Sequence, residues 1–151
     1  MIVQTLFFGE LEVVEADTMT FPGGIPGFEA CTQFMLVQPA DSLPFSYLQS
    51  IQQPELSFLV VDPFLFFKDY EISLPDSVQE ELLIEQATDV QLYTVVTVSN
   101  GNSKITTNLL APIVMNTKKC LAKQVILHDS NYQVKHEIII NNPLETMKDE
   151  G

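Results

Sequence analysis

Across 151 residues, twenty acidic side chains stand against seven cationic ones, every one of them lysine, for a formal net charge of −13. Such a field repels a phosphate backbone and offers no guanidinium fork to bind one, so it argues against direct RNA or DNA binding; it favours a basic protein partner, although solubility alone also accounts for an acidic surface. With 46% hydrophobic and 18% charged residues the chain is globular rather than disordered, and its length fits one domain that buries about 68–70% of the surface its unfolded chain would expose.

The first ten residues carry no positive leader and no apolar stretch suited to export, so the mature chain is expected to begin here. Residues 2–8 and 11–15 flank Gly9-Glu10 and predict a first hairpin. The segment Phe21-Pro22-Gly23-Gly24-Ile25-Pro26-Gly27-Phe28-Glu29 is glycine-rich like a phosphate loop, yet no Lys-Ser/Thr follows and its prolines remove backbone donors. It reads as a rigid, ordered loop in which Gly23, Gly24 and Gly27 supply positive φ.

Residues 33–38, 45–50 and 57–62 predict a meander of strands, each closed by a proline or by an acid–proline pair. The longest apolar run, 58–67, is broken by Asp62-Pro63 and falls short of the ~20 residues a membrane helix needs. After it, Phe64, Phe66 and Phe67 with Tyr70 form a dense aromatic patch. Read as strand, this puts Phe64 and Phe66 on one face and Phe67 on the other. Filling the core is one role for these rings. An exposed aromatic rimmed by Asp69 and Glu71 is another, suited to a basic, apolar partner.

One short helix is predicted over 75–84, opened by Pro75 and Asp76, with Val78, Leu82 and Leu83 recurring at helical spacing. Laid over one end of a curved sheet, it would cover an open barrel mouth. Residues 89–99 form a long, largely buried strand, and Asn100-Gly101 supplies a type I′ turn that returns the chain through 104–115. From Asn141 the chain is polar and charged and is expected to fray. The sum is mostly β: one domain over residues 1–140, a barrel or rolled sheet of antiparallel strands capped by one short α-helix, with 141–151 as a tail.

No constellation here carries catalysis or metal. Cys31 and Cys120 are far apart with no CxxC spacing, and read as free thiols of a reducing cytosol. His128 and His136 lack a third ligand. His128-Asp129-Ser130 holds the three side chains of a hydrolase triad, but consecutive strand residues point to opposite faces, so a turn is the better reading. Lys118, Lys119 and Lys123 around Cys120 read as a solvated bend.

Three segments taken together carry a family resemblance: Thr20-Phe21-Pro22-Gly23-Gly24-Ile25-Pro26-Gly27-Phe28-Glu29, Pro44-Phe45-Ser46-Tyr47-Leu48-Gln49-Ser50 and Pro54-Glu55-Leu56-Ser57-Phe58-Leu59-Val60-Val61-Asp62-Pro63-Phe64. With Asn108-Leu109-Leu110-Ala111-Pro112-Ile113-Val114-Met115-Asn116 and Lys123-Gln124-Val125-Ile126-Leu127, the chain resembles the FliW family of flagellar assembly factors over roughly residues 1–135. The resemblance implies a small cytoplasmic pseudo-barrel, not an enzyme and without a cofactor, acting as a monomer. It further implies two protein partners, the RNA-binding translational repressor CsrA and newly made flagellin, with flagellin capturing the factor and releasing CsrA. Family members often carry arginine after the Ala-Pro-Ile-Val strand, where this chain has Thr117-Lys118-Lys119-Cys120-Leu121-Ala122-Lys123.

For partner contacts the candidates are Phe45, Tyr47 and Gln49, which share one face of a strand, together with Phe64, Phe66, Asp69 and Glu71. The alternative for each is packing of the barrel. A small-molecule site inside the barrel is the rival function, and a dedicated flagellin chaperone without regulatory duty is another.

Overall fold

The computed structural model describes residues 2–6, 8–14, 17–99 and 104–139. The β-branched and aromatic runs become strands: β1 (Ile2–Thr5), β2 (Gly9–Glu12), β3 (Thr18–Thr20), β4 (Gln33–Val37), β5 (Phe45–Ser50), β6 (Ser57–Val61), β7 (Val90–Val98), β8 (Ile105–Thr107), β9 (Ile113–Asn116), β10 (Leu121–Gln124) and β11 (His136–Glu137). A single α-helix among the described residues, α1 (Asp76–Glu81), interrupts them between β6 and β7. No described helix is long and apolar enough to cross a membrane.

Strands β3 to β7 run as an antiparallel meander, as the spacing of turn residues predicts. The ring is completed from the far end of the chain. β9 lies antiparallel to the first half of β7, β10 antiparallel to β9, and β10 meets β3 in parallel through Leu121 and Thr20. Seven strands thereby close into a barrel, which removes the open edges that a rolled sheet would leave.

Alternation along each strand then sorts side chains into an inside and an outside. Inside, Phe21, Phe34, Leu48, Val60, Tyr93, Ile113, Met115 and Ala122 pack in one buried cluster, with Phe21 and Phe34 edge to face at 5.2 Å. Apolar side chains fill the interior.

Outside, Leu92 of β7 and Val114 of β9 point away from that cluster and are covered by Val78 of α1 and Leu82 at its C-cap. The helix therefore lies on the outer wall, where the sequence suggested a lid over the mouth; the reason is that β7 and β9 bury apolar residues on both faces and need a second layer. At six residues α1 is too short to stand alone. Burial of Val78 and Leu82 contributes roughly 1.5–3 kcal/mol each before entropy. Leu83, read as a third buried residue, is exposed: the helix stops at Leu82, and Leu83 takes a φ of 54°.

A fully buried Asn116 fastens this end of the helix. Its Nδ2 donates to the carbonyls of Leu82 at 2.8 Å and Leu83 at 3.1 Å, and its Oδ1 accepts from the amides of Lys118 and Lys119.

Several boundaries move for identifiable reasons. The first hairpin turns earlier than Gly9-Glu10: Thr5 pairs with Gly9, and the Thr5 hydroxyl donates to the Gly9 carbonyl at 2.8 Å while accepting from the Phe8 amide. The return strand expected over 104–115 is split into β8 and β9. Five residues, 108–112, oppose only Thr94 and Val95 of β7, and the Asn108 Oδ1 holds this bulge by accepting from the amides of Leu110 and Ala111. The proposed Asn100-Gly101 turn lies outside the described residues, but Ser99 and Lys104 are joined by a 2.8 Å backbone bond across it. The tail from Asn141 also lies outside the described residues.

In the glycine-rich loop, Gly24 and Gly27 take φ of 71° and 89°. Gly23 is not in that region, and its expected positive φ is not found. Neither Cys31 nor Cys120 is in a disulfide.

Candidate partner-docking face

The stretch after β6 decides which aromatics meet solvent. Asp62 caps a 3-10 turn, Pro63–Leu65, its Oδ1 accepting from the Phe64 amide at 2.9 Å with Pro63 in the first position. A turn replaces the strand read from the aromatic alternation, so Phe64 and Phe66 do not share a face. Phe64 stays 44% exposed against Tyr70, whereas Phe66 swings back to stack on Phe45 at 6.5 Å. Phe67 packs under the turn between the two outer clusters.

Tyr70 is the anchor of this region. It is buried, and its hydroxyl donates to the Leu109 carbonyl at 2.7 Å. Burial pushes its phenol well up from the usual range, and neighbouring Tyr132, edge-on at 4.7 Å, adds to the shift. Tyr132 in turn accepts from the Glu71 amide at 3.0 Å, so Tyr70 and Tyr132 together fix where the chain leaves the aromatic turn.

The remaining candidates divide. Asp69 and Glu71 are exposed. Phe45 packs with Phe66 and Val61 in the third cluster, and Tyr47 meets Phe8 edge to face at 5.1 Å beneath the β1–β2 hairpin. Gln49 is 1% exposed, and its Nε2 donates to the carbonyls of Ser50 and Pro54. The shared face of β5 is thus covered at Gln49 and half-covered at Phe45 and Tyr47, while Phe64, Asp69 and Glu71 face water.

Beside Phe64 and Glu71 opens a groove of about 790 Å³ between the aromatic turn, the segment 71–74, the end of α1 and the first residues of β7. Its floor is Ile72, Leu74, Ile84, Val90 and Leu92, the solvent side of the cluster under α1. Asp62, Glu71 and Glu85 supply its charge, Gln79, Gln86 and Gln91 its amides, and among the described residues no lysine lines it. The Asp62 charge also adds to the burial that raises the Tyr93 phenol. Sequence reading found Phe64 and Glu71 but missed the floor. The signal was present in the alternation Glu71-Ile72-Ser73-Leu74, which marks an extended segment with one apolar face.

The lysine cluster lies on an exposed turn at Lys118 and Lys119, as the solvated-bend reading expects, and two of its three members make ion pairs. Lys118 pairs with Asp89 at 2.7 Å and Lys123 with Glu81 at 2.7 Å. Asp89, buried at the start of β7, also accepts from the Glu85 and Gln86 amides. Its carboxyl is lowered from 3.8 to about 2, chiefly by the Lys118 hydrogen bond and then by these backbone donors.

His128, Asp129 and Ser130 form a turn, with the Ser130 hydroxyl donating to the Leu127 carbonyl. His136 accepts at Nε2 from the Gln133 amide at 2.8 Å and packs edge-on to Phe67. Among the described residues no group of three or more His, Cys, Asp or Glu is placed to hold a metal.

With this geometry in hand, comparison with known proteins shows the family. The family model described as FliW protein matches residues 2–138. Proteins named flagellar assembly factor FliW from Bacillus licheniformis and Bacillus subtilis are 45% and 44% identical over 138 residues, 91% of this chain and 96% of each relative. A crystal structure of the flagellar assembly factor FliW superposes with a TM-score of 0.86 at 42% identity, covering 94% of this chain and 99% of that one. The chain belongs to the FliW family of flagellar assembly factors.

Proposed function

We propose that this chain is a cytoplasmic, non-enzymatic partner switch: it binds a CsrA-type translational regulator, prevents it from silencing the flagellin message, and is itself captured by newly made flagellin. Family membership supports the flagellar setting. The observation that carries the regulator half is charge. A body of −13 without arginine attracts a basic RNA-binding protein and repels its RNA. Docked beside the RNA-binding surface, it lowers RNA affinity without occupying every RNA contact. The apolar cluster buried inside the barrel gives the rival reading, a small-molecule site in that interior, no set of convergent polar groups.

Calorimetric titration of the chain with CsrA and, separately, with flagellin tests this reading. Binding to both is expected, with the CsrA affinity falling as salt rises and loss of RNA affinity that is noncompetitive. Binding to flagellin alone would favour a dedicated chaperone, and binding to neither would overturn the reading.

A further inference from the structure

We propose that the groove between the aromatic turn, the segment 71–74, the end of α1 and the start of β7 is the seat for one amphipathic, cation-bearing segment of the basic protein partner. This deepens the reading above and rests on it.

The floor presents Ile72, Leu74, Ile84 and Val90, each half-buried by the cluster beneath and half open to water. Covering them is favourable, because the apolar area still facing solvent is removed from it. The charges of Asp62, Glu71 and Glu85 all have one sign, and among the described residues no cation lines the groove to neutralise them. An acidic or purely apolar segment would leave those carboxylates desolvated and unpaired, which is costly. A segment with apolar residues on one side and lysine or arginine at its margins satisfies floor and rim together. Phe64, 44% exposed at one end, supplies a ring against which an arginine or an aliphatic side chain can stack.

The groove walls are also held in place before any partner arrives. Asp62 caps the turn bearing Phe64, Tyr132 accepts the Glu71 amide, and Asn116 fastens the Leu82 and Leu83 carbonyls just ahead of Ile84. A preformed groove loses little entropy on docking.

The test uses two probes and two variants of the full chain. The probes are a short amphipathic leucine–lysine peptide and its leucine–glutamate counterpart; the variants are Glu71→Lys/Glu85→Lys at the groove and Glu12→Lys/Asp41→Lys on exposed positions elsewhere, matched in charge. The lysine peptide should shift the amide resonances of residues 71–74 and 84–92, and the glutamate peptide should not. The groove variant should weaken binding of both the lysine peptide and CsrA about tenfold or more beyond the control variant.

Equal weakening by the two variants would overturn the seat and leave only long-range attraction. CsrA binding at wild-type strength by a folded groove variant would overturn it while the partner-switch reading stands. Shifts confined to another surface would overturn it as well. Lysine-peptide binding in the groove together with no CsrA binding by the wild-type chain would support the seat and sink the reading above.

Discussion

Three glycines in the loop between β3 and β4 would respond differently to one added methyl group. At Gly24 a Cβ would stand 2.5 Å from the Glu29 Cα, on a backbone with φ of 71°. Gly27 has φ of 89° but open space, and Gly23 has open space and an ordinary φ. Alanine should therefore cost most at Gly24, roughly 3 kcal/mol or more, about 1–2 kcal/mol at Gly27, and within about 0.5 kcal/mol at Gly23. Urea midpoints at unchanged slope would order the three. The sequence showed that the loop needs glycine; it did not show which one faces the Glu29 backbone, because that contact is made by the fold of the loop itself.

Asp89 gives a residue-level prediction in pH. Its folded value, about 2, lies below the ordinary 3.8, so the unfolded chain takes up this proton first as acid is added. The stability it contributes is intact above the ordinary value and is lost as pH falls through about 2. Asp89→Asn should be less stable than the parent at neutral pH, and the difference should shrink steadily on acidification through that window, read from urea melts at each pH.

At the scale of elements, the single side chain of Asn116 joins the end of β9, the Leu82 and Leu83 carbonyls just past α1 and the turn into β10. Asn116→Ala leaves buried donors and acceptors without partners and should destabilise by on the order of 3 kcal/mol. Loss of order at α1, read as faster amide exchange at Leu82 and Ile84, should accompany it. Elements governed by local pattern were legible: β4, β5, β6, β7 and the helix all stand within a residue or a few of their expected bounds.

Elements that exist only through distant pairing were not. β3 and β10 are three and four residues long; β3 pairs along its length with β4 and β10 with β9, and the two meet only through Leu121 and Thr20, a parallel contact that local pattern does not announce. The aromatic run 64–67 misled for a related reason. Its alternation suited a strand, but the Asp62 cap and Pro63 commit it to a turn, and capping chemistry outweighs periodicity over so short a span. Of the candidate site, Phe64 and Glu71 were legible as exposed aromatic and acid, whereas the half-buried floor needed the wall of β7 and the end of α1 to bring it together.

For the whole molecule, net charge and fold divide the work. The barrel fixes a rigid body, and on the proposed function the −13 charge sets how fast the basic partner finds it. Asp69 is exposed and lies outside the groove lining. Asp69→Lys should therefore slow association with CsrA at low salt, leave the dissociation rate nearly unchanged, and keep stability within about 0.5 kcal/mol. Stopped-flow association at two salt concentrations separates this steering effect from a contact effect.

The central claim is exchange of partners, and adding flagellin to a preformed complex of this chain with CsrA tests it most directly. Followed by light scattering on a sizing column, the account predicts that CsrA elutes free while the chain moves into a complex with flagellin. A stable assembly of all three proteins, or an unchanged CsrA complex with flagellin eluting alone, would contradict it.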